Sequence, residues 1–142
     1  MAQLLNGSVL ITGAGSGIGR ATALCMAAHG AIKLALGDIN LEQLEETKVY
    51  VRARVPEVET LLLELDVRSE ESVQQAIEKI VTTYGRIDYA INNAGISGPF
   101  MPTENVPFSE WQRLLDVNLN GVWLCQRAEI QQMLKQDLQE TR

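Results

Sequence analysis

The chain has 142 residues, of which 46% are hydrophobic and 21% charged, and its formal net charge is −6 at neutral pH. This composition is that of a soluble domain with a hydrophobic core, and it excludes a disordered chain. The acidic balance and the scattered basic residues exclude a nucleic acid or an anionic membrane surface as the expected partner. No apolar run is long enough to span a membrane, so we expect a single cytoplasmic domain over residues 1–142.

The first element is a short apolar strand that leads through a glycine-rich turn into a helix. The strand is Val9–Ile11, and the helix runs from about Gly17 to His29. The glycines of this segment are Gly13, Gly15, Gly17 and Gly19. A strand, a glycine turn and a helix in this order direct free backbone N–H groups and the positive end of the helix dipole toward a phosphate. The segment therefore predicts a nucleotide site.

An acidic residue strengthens this prediction. Asp38 lies nineteen residues after Gly19, at the end of a second apolar run over residues 32–38. This is the spacing of a carboxylate that binds the hydroxyl groups of an adenosine ribose.

The remaining elements alternate between strands and helices. The predicted segments are a helix over 41–53, a strand over 60–65, a helix over 70–84, a strand over 87–91 and a long helix from residue 109. Asn40 and Ser69 are expected to cap the helices that follow them, and Gly85 to end the helix over 70–84. The alternation predicts an α/β Rossmann-like fold, in which four parallel strands in the order 3-2-1-4 carry helices on both faces.

Five motifs in this order resemble the short-chain dehydrogenase/reductase superfamily. They are the run from Thr12 to Gly19, then Asp38, then Asp66-Val67, then Asn92-Asn93-Ala94-Gly95, and then Val117-Asn118. The resemblance covers the N-terminal, cofactor-binding half of that family's fold. We therefore expect a truncated sheet, without the family's later strands and helices.

The resemblance implies a dinucleotide cofactor. The cofactor-binding residues implied in this way are Gly13, Gly15, Ser16, Gly17, Ile18, Gly19, Asp38, Asp66, Val67, Asn92, Ala94 and Gly95. The carboxylate of Asp38 would repel a 2′-phosphate, and neither Ser16 nor Ile39 supplies a cation to bind one. We therefore expect NAD to be favoured over NADP. No metal site is expected, since the cysteines show no metal-binding spacing.

The resemblance also implies catalytic residues, and most of them do not occur in these 142 residues. Members of the family use a serine, a Tyr-x-x-x-Lys pair and an asparagine in the preceding helix. Asn118 matches the asparagine, and Asp116 lies beside it as a second candidate. None of the three tyrosines is followed by lysine at the required distance. Without this acid–base pair we expect a loss of roughly 10²–10⁴-fold in rate, so the chain alone is not expected to be a competent dehydrogenase.

Three functions are left open by these observations. The chain is the cofactor-binding part of a short-chain dehydrogenase, a non-redox enzyme that performs proton transfer or cyclisation on a small molecule, or a non-catalytic partner of a longer relative. In the truncated fold, strand 4 and the apolar face of the last helix lack their usual cover. We therefore expect a homo-oligomer that associates through the last helix or the edge of strand 4.

Overall fold

A computed structural model of the protein describes residues 4–137. Strands and helices alternate along the chain as the sequence predicts. The strands are β1 (Ser8–Thr12), β2 (Lys33–Asp38), β3 (Glu59–Glu64) and β4 (Tyr89–Asn92). The helices are α1 (Gly17–Ala28), α2 (Leu41–Arg54), α3 (Glu70–Tyr84), a short 3₁₀ turn at Thr103–Asn105, α4 (Phe108–Leu115), a π-helical turn at Asp116–Gly121, and α5 (Val122–Met133).

The strands form one parallel sheet in the order β3-β2-β1-β4, which confirms the predicted order. Thr12, the last residue of β1, lies beside Gly37 on one side and Asn92 on the other. The connection after β1 crosses to β2, whereas β4 lies on the opposite side of β1. The chain therefore diverges at the carboxyl ends of β1 and β4, and this is where α/β sheets bind their ligands.

Helices cover both faces of the sheet, as predicted, and two hydrophobic clusters result. One cluster joins the sheet to α1 and α2, and the other joins it to α3 and α5. The strand sequences contain continuous apolar runs because both faces of the sheet are buried. The first cluster is built around Val9, Ile11, Ala23, Leu34, Leu36, Leu44 and Val51, and the second around Leu10, Leu63, Val73, Ile77, Ile80 and Ile87.

The predicted helix ends are confirmed. The side chain of Asn40 accepts a hydrogen bond from the backbone N–H of Gln43, and that of Ser69 accepts one from Ser72. Gly85 ends α3 in the left-handed conformation, with φ of 84°. This conformation favours glycine, which has no Cβ to clash with the backbone.

Strand β4 begins two residues later than predicted. Ile87 is buried in the hydrophobic core. Its backbone N–H and C=O nevertheless form hydrogen bonds with the side-chain amide of Gln136, at 2.9 and 2.8 Å. Strand pairing with β1 begins only at Tyr89, which lies opposite Val9. A side chain from 49 residues away thus replaces the neighbouring strand at this position.

The sequence predicts one long helix from residue 109. In the structure this segment begins at Phe108 and is interrupted by the π-helical turn between α4 and α5. Gly121, at the end of this turn, is buried against Val67. A Cβ at Gly121 would lie 2.7 Å from Val67 Cγ2 and 3.2 Å from the carbonyl oxygen of Asp116. The small residue lets the widened turn approach the end of β3, and such turns occur frequently at functional sites.

No helix in residues 4–137 is long and apolar enough to cross a membrane. Several large apolar side chains on α4, the π-helical turn and α5 are exposed, among them Trp111, Leu119 and Trp123. They belong to the segment that the sequence predicts as the last helix, through which we expect self-association.

Replacement of a core leucine tests the packing of the sheet. Leu36 is completely buried, whereas Leu134, just beyond α5, is 82% exposed. We expect Leu36→Ala to lower the free energy of unfolding by about 2–5 kcal/mol, because it removes buried methyl groups and leaves a cavity. The matched change Leu134→Ala is expected to alter it by less than about 0.5 kcal/mol. Urea denaturation measures both, and similar losses in the two variants would contradict the fold.

Candidate functional site

The glycine turn lies between β1 and α1 at the carboxyl edge of the sheet. Gly13 and Gly17 adopt positive φ angles of 65° and 51°, which favour glycine. Gly19 packs so closely on this turn that a Cβ there would overlap the carbonyl oxygen of Gly13. The first turn of α1 therefore lies directly against the end of β1.

The N-terminus of α1 differs from those of α2 and α3 because no side chain caps it. Ser16 is the N-cap residue, but its hydroxyl makes no capping hydrogen bond, and the first turn of α1 contains no acidic residue. The first N–H groups of a helix have no partner within the helix. Those of α1 are left for a ligand, and the positive end of the helix dipole favours an anion.

Thr12 and Asn93 join the glycine turn to the end of β4. Thr12 Oγ1 is buried and accepts hydrogen bonds from the backbone N–H groups of Asn93 and Ala94, at 3.0 and 3.1 Å. The side-chain amide of Asn93 donates to the carbonyl oxygens of Thr12 and Gly13, both at 3.1 Å. These four bonds determine how far apart the two chain segments lie at the edge of the sheet.

Asp38 ends β2 beside this turn. One of its carboxylate oxygens accepts a hydrogen bond from the N–H of Gly15 at 2.9 Å, and the other accepts one from Asn40 at 3.0 Å. A Cβ at Gly15 would lie 2.8 Å from the first of these oxygens. The absence of a side chain at Gly15 thus allows the carboxylate to approach the turn.

The guanidinium of Arg20 is bound by the backbone of the turn and by α2. Its guanidinium donates to the carbonyl oxygen of Gly15, to Thr47 Oγ1 at 3.0 Å and to Glu46 Oε2 at 2.8 Å. The Thr47 side chain is buried and also contacts the carbonyl oxygen of Ala14. The one basic residue of the α1 sequence is therefore occupied by the protein itself.

Asp66 follows β3 and is paired with Arg68. The guanidinium and the backbone N–H of Arg68 donate to both carboxylate oxygens of Asp66, at 2.7 to 3.0 Å. These hydrogen bonds lower the pKa of Asp66 below its ordinary value, so the carboxylate is charged at neutral pH. Val67 lies between this pair and Gly121 of the π-helical turn.

The two candidate catalytic residues lie in the π-helical turn. Both atoms of the Asn118 side-chain amide are bonded to the backbone of Ile96, with Nδ2 donating to its carbonyl oxygen at 2.8 Å and Oδ1 accepting from its N–H at 2.9 Å. Asp116 accepts a hydrogen bond from the Asn120 side chain at 3.0 Å. Asn118 thus attaches the loop after β4 to the last helix.

An open cavity of about 650 Å³ brings most of the predicted residues together. Those that line it are Gly13, Ser16, Gly17, Ile18, Asp38, Asp66, Val67, Ala94 and Gly95. Gly15, within the turn, and Gly19, packed against it, are not among the lining residues, and neither are Asp116 and Asn118. Asn92 points away from the cavity, because its side chain donates to Glu129 on α5.

Several residues that line the cavity are not among the cofactor-binding residues implied by the resemblance, although Asn93 and Val117 occur in its motifs. They are Ile39, Asn40, Gln43, Leu65, Arg68, Asn93, Ile96, Arg113 and Val117. For Asn93 the sequence contains a signal, since two consecutive asparagines stand at the end of β4 and consecutive residues at the end of a strand face opposite sides. For Arg113, on α4, no local signal exists.

Comparisons with known proteins agree with this geometry. Residues 7–138 match the family model of short chain dehydrogenases. Levodione reductase of Leifsonia aquatica is 45% identical over 116 residues, which are 82% of this chain and 43% of that protein. Cyclohexanol dehydrogenase of Acinetobacter sp. is 37% identical over 94% of this chain and 53% of that protein.

Solved structures show the same similarity. The crystal structure of levodione reductase superposes with a TM-score of 0.88 at 41% identity, over 91% of this chain and 50% of that chain. That of NAD⁺-bound xylitol dehydrogenase superposes with a TM-score of 0.86 at 38% identity, over 91% of this chain and 48% of that chain. The chain thus spans about half the length of the relatives it matches, and it belongs to the short-chain dehydrogenase/reductase family.

Two isosteric substitutions test the attachment of the glycine turn to β4. Thr12→Val removes the acceptor of the Ala94 N–H and one of the two acceptors of the Asn93 N–H, which also donates to the carbonyl oxygen of Ile91. We expect the free energy of unfolding to fall by about 1–3 kcal/mol. Thr60 in β3 is the matched control, because its hydroxyl oxygen is buried without a hydrogen-bond partner. Thr60→Val is expected to be neutral or stabilising. Equal losses in chemical denaturation would show that Thr12 Oγ1 has no special role.

Proposed function

We propose that this chain forms the NAD-binding part of a short-chain dehydrogenase that acts on a small-molecule alcohol or carbonyl compound. The observation that carries the proposal is the position of the Asp38 carboxylate, in the same cavity as the uncapped N-terminus of α1. One group is suited to a ribose and the other to a pyrophosphate. A ribose joined to a pyrophosphate is the adenosine diphosphate part of NAD.

The pyrophosphate is expected to bind at the glycine turn. An added Cβ at Gly17 meets nothing within 4 Å, so the space in front of the turn is open to a ligand. The unpaired N–H groups of the first turn of α1 would donate to the phosphate oxygens. Ser16 and Ile18 line the cavity on either side of Gly17.

Asp38 would accept hydrogen bonds from the hydroxyl groups of the adenosine ribose. Its backbone partners, Gly15 and Asn40, hold the carboxylate in place before a ligand arrives. A 2′-phosphate at this position would be repelled by the negative charge. Arg20 does not compensate, because its guanidinium is bound to Glu46 and Thr47. These contacts support a preference for NAD over NADP.

The two ends of the cavity would hold the two bases. Asp66 and Val67 line the end near β3, where we expect the adenine. Asn92 is the last residue of β4. Ala94 and Gly95 follow this strand, and they line the end of the cavity where we expect the nicotinamide. When bound, the nicotinamide ring donates or accepts a hydride. Asn118 would position the loop at this end through its two hydrogen bonds to Ile96.

The names of the relatives support the class of substrate. The family includes proteins named levodione reductase and cyclohexanol dehydrogenase, and these names indicate a dione and an alcohol as substrates. No tyrosine of these 142 residues is followed by lysine four positions later. We therefore assign no proton transfer to a side chain of this chain, and Asp116 is proposed only as a polar neighbour of the site.

Calorimetric titration of the purified protein with NADH and with NADPH tests this proposal. We expect NADH to bind more tightly than NADPH. Asp38→Asn removes the charge, and we expect it to weaken NADH binding by about tenfold or more, since hydrogen bonds to charged groups contribute roughly 1.5–3 kcal/mol. Asp137→Asn, at an exposed position, is the control with the same change of charge. Tighter binding of NADPH would contradict the cofactor preference, and binding of neither would contradict the function.

We also propose that the protein self-associates through the last helical segment, which comprises α4, the π-helical turn and α5, or through the edge of β4. Trp123 is 55% exposed and Leu119 is 60% exposed, and β4 pairs only with β1 within residues 4–137. Burial of such side chains in an interface is favourable. Light scattering at micromolar concentration is expected to show a dimer or larger species, and Leu119→Glu is expected to reduce its mass. A monodisperse monomer of the unmodified protein would contradict the assembly.

A further inference from the structure

Glu129 on α5 occupies an unusual environment. Its side chain is buried, since the residue is only 3% exposed. Among the residues that the structure describes, no other aspartate, glutamate, lysine, arginine or histidine is buried. Its side chain faces the carboxyl end of β4 rather than solvent. Burial of a charged carboxylate is costly unless a cation or several hydrogen-bond donors compensate for it.

The hydrogen bonds of Glu129 do not supply this compensation. Asn92 Nδ2 donates to Glu129 Oε2 at 2.8 Å. The other two oxygens of this pair, Asn92 Oδ1 and Glu129 Oε1, are both buried and have no hydrogen-bond partner. Both are acceptors when the acid is ionised, whereas a protonated carboxyl group carries one O–H donor. One proton on Oε1 provides the donor that this pair lacks.

The elements around Glu129 provide no cation. On α5, Cys125 is a thiol whose pKa is raised to about 12, chiefly by burial, so it carries no charge at neutral pH. Arg127, two residues earlier on the same helix, forms an ion pair with Glu70 and lies over the ring of Trp123. Residues two apart do not share a helix face.

The facing side of α3 is also without charge. It contributes four apolar residues and one tyrosine to the cluster that contains Cys125, namely Val73, Ala76, Ile77, Ile80 and Tyr84. Burial raises the pKa of Tyr84 above its ordinary value, so this phenol is neutral as well. On β4 the group that meets Glu129 is the uncharged amide of Asn92.

We propose that Glu129 is held as the neutral carboxylic acid in the folded protein and that it forms two hydrogen bonds with the Asn92 carboxamide. Nδ2 of Asn92 donates to Oε2, and the acid proton on Oε1 is directed to Oδ1 of Asn92. Burial raises the pKa of Glu129, and the single bond from Asn92 only partly opposes this.

The pair makes Glu129 a positioning residue for the candidate site. It attaches α5 to the last residue of β4, and the next residue, Asn93, fixes the glycine turn and lines the cavity. Asn92 and Asn93 thus hold the end of β4 from its two sides. This inference does not depend on which ligand the cavity binds.

The protonated acid implies a defined dependence of stability on pH. An unfolded glutamate has a pKa of about 4.3, and the folded-state pKa of Glu129 is higher. The stabilisation is therefore complete below about pH 4.3 and is lost as the pH rises through the folded-state pKa. Between these two values, unfolding releases one proton, and the folding equilibrium constant falls by up to about tenfold per pH unit.

Infrared spectroscopy of the purified protein at neutral pH tests the protonation state directly. A protonated carboxyl group has a carbonyl band that is separate from those of carboxylates, and ¹³C-labelled glutamate identifies it by an isotope shift. We expect this band in the unmodified protein and its loss in Glu129→Gln. The absence of the band from the unmodified, labelled protein would overturn the proposal, whether or not any variant folds.

Chemical denaturation between pH 4 and pH 9 provides the second test. Glu129→Gln carries both a donor and an acceptor, and we expect it to fold and to lack the fall in stability that one proton causes. Glu129→Leu retains the burial but not the hydrogen bonds, and we expect it to be less stable than Glu129→Gln at every pH. Glu57→Gln, at an exposed turn, is the control with the same change of charge, and it is expected to keep the pH dependence of the unmodified protein. Identical pH profiles for Glu129→Gln and the unmodified protein would overturn the proposal.

Discussion

The backbone of the glycine turn comes so close to the first turn of α1 that the contact between Gly13 and Gly19 admits no side chain. This contact fixes where α1 begins relative to β1, and the uncapped N-terminus of α1 then faces the cavity. Asp38 depends on the same constraint, because its carboxylate is bonded to the N–H of Gly15 within the turn. The phosphate-binding and ribose-binding parts of the site are therefore positioned by one piece of backbone.

Three carboxyl groups near this edge of the sheet differ only in their surroundings. Asp38 is bonded to backbone N–H groups and remains available to a ligand. Asp66 is paired with a guanidinium, which lowers its pKa and keeps it ionised. Glu129 has neither a cation nor a second donor, and burial raises its pKa. The same chemical group is thus suited to ligand binding, to an ion pair or to a neutral link between α5 and β4, according to its neighbours.

The π-helical turn connects the last helix to both ends of the cavity. Through Gly121 it packs against Val67, which follows β3, and through Asn118 it holds the backbone of Ile96, which follows β4. A regular α-helix would place these two contacts at a different angular separation, because each π-helical turn inserts one extra residue. The turn therefore links the adenine end that we propose to the nicotinamide end.

The sequence by itself determined the α/β class, the strand order and the residues of the glycine turn. These depend on local hydrophobic periodicity and on motif spacing, both of which are present in the linear chain. The tertiary structure alone decided that Asn93 faces the cavity while Asn92 faces Glu129, and that Ile87 pairs with Gln136 instead of a strand. These partners lie 37 to 80 residues apart. Which distant groups meet is set by how the helices pack on the sheet, and no local pattern of residues encodes that packing.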